Sequence, residues 1–230
     1  MEDVAEYAGK GSQRWLQVAV AEAQDMINTK IRSAMSLPPE VEITWLCPLK
    51  DKGFGEYRDE AFLELLKVDL PKRKLMTFWP KGGPMWDGLA KTSRGDILMV
   101  EAKAHIPEMV SPPTRASEKP LKQIEAALTE TRNALAPKTQ VSWTGIFYQY
   151  TNRLAHLYLL RTLNDTPAHL VYVYFTNAND VFGPTTEEEW RGAIKLMLSY
   201  FGLRRHKLSK YIHEVFVDVH ELPSKSSASS

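Results

Sequence analysis

Met85-Trp86-Asp87-Gly88-Leu89-Ala90-Lys91-Thr92-Ser93-Arg94-Gly95-Asp96-Ile97-Leu98-Met99-Val100-Glu101-Ala102-Lys103 has the pattern of a β-hairpin at the centre of a sheet. Two extended segments, Met85 to Lys91 and Asp96 to Ile106, flank Ser93-Arg94-Gly95. A three-residue hairpin loop ends in a left-handed residue, which glycine supplies without steric cost. With that loop, Thr92 faces Asp96, Leu89 faces Met99 and Asp87 faces Glu101. Opposed residues of an antiparallel pair share a face, with Cβ atoms about 4.5–5.5 Å apart. Lys103, two residues beyond Glu101, joins that face. The sequence thus predicts two carboxylates and an amine in one cluster. Ile97-Leu98-Met99-Val100 is apolar on both faces, as in a central strand covered by helices. Charges at the end of such a strand are unfavourable unless paired or metal-bound.

Working outward, Ser12 to about Ser33 has helical spacing of Trp15, Leu16, Ala19, Ala23, Met26 and Ile27, and Glu40 to Trp45 alternates like a half-buried strand. A helix is expected from about Glu56 to Lys67, with Glu56, Glu60 and Glu64 as an acidic stripe. Lys74 to Trp79 has the composition of a strand, and Pro80 to Pro84 that of a loop. Helices are expected over Ser117–Ala136 and Thr144–Leu163, then a strand at Leu170–Phe175. A capped helix follows Thr185-Thr186-Glu187-Glu188-Glu189 and ends near Gly202, and a last strand covers His213–His220. The expected organisation is an N-terminal helical extension packed on the core (1–50), a principal α/β domain (51–223) and a polar tail (224–230).

Composition is that of an ordinary globular chain, 43% hydrophobic and 25% charged with net charge +1, and so leaves the function class open. The single cysteine, Cys47, excludes an internal disulfide and fits a reducing cytoplasm. The acidic start Met1-Glu2-Asp3-Val4 differs from a secretory signal. Apolar runs such as Leu154 to Leu160 are too short to cross a bilayer, so no membrane partner is expected.

Asp87 followed by Glu101-Ala102-Lys103 after an apolar strand resembles the PD-(D/E)xK nuclease superfamily. The order of elements from Gly53 to Thr176 resembles it too. The dipeptide here is Trp86-Asp87, with Pro84 further upstream. The resemblance implies an α/β, restriction-endonuclease-like mixed central sheet flanked by helices. It implies metal-dependent cleavage of phosphodiester bonds, with DNA the favoured substrate. Asp87 and Glu101 would hold Mg²⁺ or Mn²⁺, with the backbone carbonyl of Ala102 and, from the first core helix, Glu56 in preference to Glu60. Lys103 would position or activate the attacking water. Beside anionic ligands it stays protonated, which favours an electrostatic, orienting role over that of a general base.

Gln149, Asn152, Arg153 and His156 fall at i, i+3, i+4, i+7. They form either a polar stripe facing the site, with Gln149 or Arg153 on a phosphate, or the solvated face of an amphipathic helix. His105 continues the Asp87 face and is a further substrate-binding candidate, although a simple hydrogen-bonded strand end is the commoner role. Trp79 and Trp86 suit core packing or base stacking. Lys72–Lys74 and Arg204–Lys207 are short basic runs. Glu214, Asp218 and His220 share a face of the last strand. Two alternatives stand beside the nuclease: a non-catalytic binding or assembly module on the same fold, and another metal-dependent hydrolase. A homodimer is left open.

Overall fold

The computed structural model describes residues 6–223. The tail expected at 224–230 lies outside them. The deciding hairpin forms in the expected register. Leu89 pairs with Met99 and Ala90 with Leu98. The Thr92 N–H donates to the Asp96 carbonyl at 2.9 Å, and Gly95 closes the loop at φ +87°. At Gly88 the backbones approach closely: a Cβ there would lie 2.9 Å from the Trp45 ring and 3.2 Å from Val100.

In chain order the elements are α1 (Gly11–Glu22), α2 (Gln24–Ala34), β1 (Ile43–Cys47), α3 (Asp59–Leu65), α4 (Leu75–Phe78), β2 (Gly88–Thr92), β3 (Ile97–Lys103), α5 (Glu118–Leu135), α6 (Tyr148–Tyr158), β4 (Ala168–Thr176), α7 (Glu187–Phe201) and β5 (Ile212–Asp218), with short turns of helix between. The five strands form one mixed sheet in the order β1-β2-β3-β4-β5. β1-β2 and β2-β3 pair antiparallel, and β3-β4 and β4-β5 are parallel. The parallel connections are long and helical, as such crossovers must be. The fold is α/β, an open mixed sheet with helices on both faces.

Each face builds its own core. Leu89, Ile97, Met99, Leu170, Tyr172 and Tyr174 pack with residues of α3 to α7. Trp45, Leu98, Val100, Ala102, Val171 and Val173 pack with α1 and α2. All seven residues of β3 are buried, as an apolar central strand requires. Segment 1–50, expected as a helical extension, supplies α1, α2 and also the edge strand β1.

Four local expectations differ. The N-terminal helix is broken at Ala23 (φ −138°), so α1 and α2 both lie against one face of the sheet. Lys74–Trp79 is not a strand. Leu75, Phe78 and Trp79 are its buried residues, and their i, i+3, i+4 spacing is helical. The first core helix starts at Asp59, not Glu56. Tyr57 pairs with Trp86 in an isolated bridge, with the Trp86 N–H on the Tyr57 carbonyl at 3.0 Å, and this keeps residues 55–58 extended. Finally α6 starts at Tyr148, after Phe147 at φ +63°, and continues into a wider turn over Leu159–Leu163. The capping box is present at Thr186 and Glu189. Among the described residues, no helix is long and apolar enough to cross a membrane.

Candidate metal and phosphate site

The sheet brings Asp87, Glu101 and Lys103 together where β3 leaves its antiparallel partner. Asp87 stands one residue before β2, and its Oδ2 accepts the Ala102 N–H at 2.8 Å. That bond continues the hairpin past its last backbone pair, Gly88 with Val100. Glu101 and Lys103 alternate with Ala102 and point to the α6 side of the sheet. Lys103 Nζ donates to Glu101 Oε1 at 2.6 Å. Arg153 on α6 donates from Nε to Glu101 Oε2, also at 2.6 Å. Both oxygens of one buried carboxylate therefore carry a cation.

Arg153 is held by every part of its guanidinium. Nη1 donates to Asn152 Oδ1 at 2.9 Å and Nη2 to the Met85 carbonyl at 2.7 Å. The group lies 5.0 Å from the Trp86 ring centre, within cation–π range. Glu101 is 2% exposed and Arg153 4%. A charge this deep is tolerated only when paired and hydrogen-bonded.

The electrostatics follow from this crowding. Burial pushes Asp87 up to about 7, and the negative charge of Glu101 adds to the effect. Asp87 keeps some surface open to solvent, but its carboxyl is surrounded by dense protein. For Glu101 burial also acts upward, yet the adjacent Arg153 and Lys103 outweigh it and hold the carboxyl below its usual range. Burial acts to deprotonate Lys103, but Glu101 and Asp87 reverse that and raise it. Lys103 is thus kept as an ammonium.

Glu56 reaches this neighbourhood from an extended connector rather than from a helix start. It is half-buried and accepts a hydrogen bond from Gln13 Nε2 at 2.8 Å. Burial raises its pKa, and the charge of Glu101 contributes to the rise. Glu60 and Glu64 are exposed on α3, so the expected acidic stripe does not face the site. Among the described residues, no three or more His, Cys, Asp or Glu side chains stand close enough together to hold a metal ion. As placed, Glu56 therefore does not complete a three-carboxylate cluster. The ligand set on offer is two carboxylates, Asp87 and Glu101, with the Ala102 carbonyl. These are hard oxygen donors of the kind Mg²⁺ selects, and that ion keeps several waters and shares substrate oxygens. Burial lifts Asp87 first, and the part of the rise that comes from the charge of Glu101 is a repulsion that a divalent cation relieves. In these two respects the residues fit such an ion.

The polar stripe on α6 is not a solvated face, because every residue from Tyr150 to Tyr158 is buried. Arg153 enters the cluster. Gln149 is half-buried and lines a small cavity together with Glu101, Lys103 and Tyr172. Gln149, Asn152 and Arg153 also line an open groove, together with Lys81 and Arg115. His156 is a core residue. It lies 4.9 Å from Trp79 and 6.1 Å from Trp86 between ring centres, and burial pulls its pKa down to about 4. Both tryptophans are buried, at 2% and 0% exposure, so they pack rather than stack on a ligand.

His105 does not join the cluster. Strand β3 ends at Lys103, so alternation no longer fixes its direction. Its Nε2 lies 3.2 Å from Asp180 Oδ1, and Asp180 also accepts the Gly11 N–H at the start of α1. In the last strand, Asp218 accepts from Asn177 Nδ2 and from the His220 N–H, while the His220 side chain is exposed.

Two residues near the site carry no signal that a hairpin register reveals. Tyr172 is the direct neighbour of Glu101 across the parallel β3-β4 pair, with its hydroxyl buried and without a hydrogen-bond partner. Only the alternation of Tyr172 and Tyr174 hints at a shared face, and parallel register is not written in a local turn. Asp59 pins the Pro80–Pro84 loop by accepting the Gly82 and Gly83 N–H groups at 2.8–3.2 Å. Comparison of the chain with family models, with curated proteins and with solved structures gives no match.

Proposed function

We propose that this chain is a divalent-metal-dependent nuclease of the PD-(D/E)xK type, with a restriction-endonuclease-like core. The observation that carries the reading is the convergence of Asp87, Glu101 and Lys103 at the end of a fully buried central strand. Asp87, Glu101 and the Ala102 carbonyl are the proposed ligands of Mg²⁺ or Mn²⁺. Bound there, such an ion supplies an acidified water and neutralises charge on the scissile phosphate. The chain's own residues do the positioning. Lys103, held protonated by its two acidic neighbours, orients the attacking water and stabilises the charge that develops on the phosphate. Asp87 fixes the strand end through Ala102 and must lose its proton before it serves as a ligand.

DNA is the proposed polymer. The groove beside the cluster supports this, since Lys81 and Arg115 line it and neutralising phosphates dominates nucleic-acid affinity. A reducing cytoplasm is the proposed setting. Cys47 is buried with its thiol pushed up to about 12, which makes it unreactive.

One observation favours a second reading, a non-catalytic binding module on the same fold. Both Glu101 oxygens are already bonded to cations. The deciding experiment incubates supercoiled plasmid and single-stranded DNA with the protein in Mg²⁺ or Mn²⁺, beside Asp87→Ala and Lys103→Ala. The nuclease reading expects metal-dependent cleavage by the wild type that both variants lose. Binding without cleavage supports the module instead.

A further inference from the structure

Glu101 presents a conflict that the nuclease reading does not resolve. Its Oε1 is taken by Lys103 and its Oε2 by Arg153, both at 2.6 Å. A divalent ion ligated by this carboxylate needs one of those oxygens. Lys103 comes from the same strand two residues away, and its ammonium is bonded to Glu101 Oε1. Arg153 comes from a different element, α6, and sits where the cluster meets the groove. Its two remaining hydrogen-bond partners, Asn152 Oδ1 and the Met85 carbonyl, belong to residues that line the groove, and the Trp86 ring lies 5.0 Å from the guanidinium. The groove is therefore the short way out for the guanidinium. Planar guanidinium is also the side-chain cation best matched to a phosphate, by paired N–H donors.

We infer that Arg153 is the resting counter-ion of Glu101 and exchanges with the divalent cation, its guanidinium passing from Glu101 Oε2 to a phosphate in the groove. This rests on the proposed metal site and adds a coupling to it. Metal displaces Arg153 from Glu101, and a phosphate in the groove stabilises the displaced guanidinium. Each ligand then binds more tightly in the presence of the other, and such coupling is reciprocal. Arg153 is on this account a positioning residue whose partner changes. A static ion pair would instead resist metal and leave the two ligands independent.

The test is titration calorimetry with MnCl₂ on the wild type and Arg153→Gln, with and without a phosphorothioate oligonucleotide that resists cleavage. The glutamine variant is expected to bind Mn²⁺ about tenfold more tightly without oligonucleotide, the scale of one charge-assisted hydrogen bond lost to the competitor. In the wild type the oligonucleotide is expected to tighten Mn²⁺ several-fold, and in the variant it is expected to have no such effect. Equal or weaker Mn²⁺ binding by the variant overturns the exchange and leaves the metal site standing. No Mn²⁺ binding by either protein overturns both. Should Arg153→Gln fail to fold, a crystal of the wild type grown with MnCl₂ and the oligonucleotide decides the matter. The guanidinium is expected on a phosphate oxygen, and a guanidinium still within 3 Å of Glu101 Oε2 overturns the proposal.

Discussion

Asp87→Asn isolates the electrostatic strain that the cluster places on one carboxylate. In the metal-free fold the Asp87 pKa rises from 3.8 to about 7, first through burial and then through the charge of Glu101. The folded state thus holds the proton more tightly than the unfolded chain. The Asp87 contribution to wild-type stability therefore falls as pH rises from 3.8 towards 7, and its penalty is complete above that window. An interval of this width, at about 1.4 kcal/mol per pH unit, sets a ceiling of about 4 kcal/mol. Asp87 retains some contact with solvent, so about 2 kcal/mol is the expected gain for asparagine at pH 8. The substitution keeps a carbonyl oxygen to accept the Ala102 N–H. Urea titrations of both proteins in EDTA at pH 4 and pH 8 measure the effect. Asparagine is expected to match the wild type at pH 4 and to unfold at clearly higher urea at pH 8. A variant that is less stable at pH 8, or offset equally at both pH values, would mean that the acid is comfortable as an anion and that the cluster places no strain on it.

Glu101→Gln should act in the opposite sense. It leaves Lys103 and Arg153 buried without their shared anion, and a loss of about 3–5 kcal/mol is expected in thermal or urea unfolding. Gly88→Val places side-chain atoms against the Trp45 ring and Val100, so a loss of about 1–3 kcal/mol is expected in the same assays. The double variant Lys81→Ala/Arg115→Ala should weaken oligonucleotide binding at low salt. It should also flatten the slope of log affinity against log salt by about 1–2, while Mn²⁺ affinity stays unchanged.

The hairpin register is legible in the sequence because it is local. Gly95 sets the loop, and the loop sets the pairs back to Gly88 with Val100; Asp87 stands one residue beyond that ladder and meets β3 through the Ala102 N–H instead. Burial of β3 on both faces was likewise visible in Ile97 to Val100. Elements fixed by distant partners were not legible. Residues 55–58 stay extended because Tyr57 pairs with Trp86, so Glu56 reaches the cluster from a connector that looked like helix. Lys74 to Trp79 has strand-like composition, yet Leu75, Phe78 and Trp79 are buried at helical spacing against the core. The polar stripe of α6 was visible as a pattern, but whether it met solvent or the sheet depends on how the helix docks. Docking turned Arg153 towards Glu101 and sealed His156 among tryptophans. Alternation puts His105 on the Asp87 face, but it lies two residues past the end of β3, where the rule no longer applies, and it meets Asp180 instead.

Asp87 and Glu101 are proposed to ligate one divalent cation together. The most direct measurement is anomalous diffraction from crystals containing Mn²⁺. A peak is expected within about 2.0–2.4 Å of oxygens from both carboxylates and the Ala102 carbonyl, a range set by hard divalent ions with oxygen donors. A crystal at high Mn²⁺ in which no peak lies between the two acids, and Glu101 keeps both cationic partners, would contradict it.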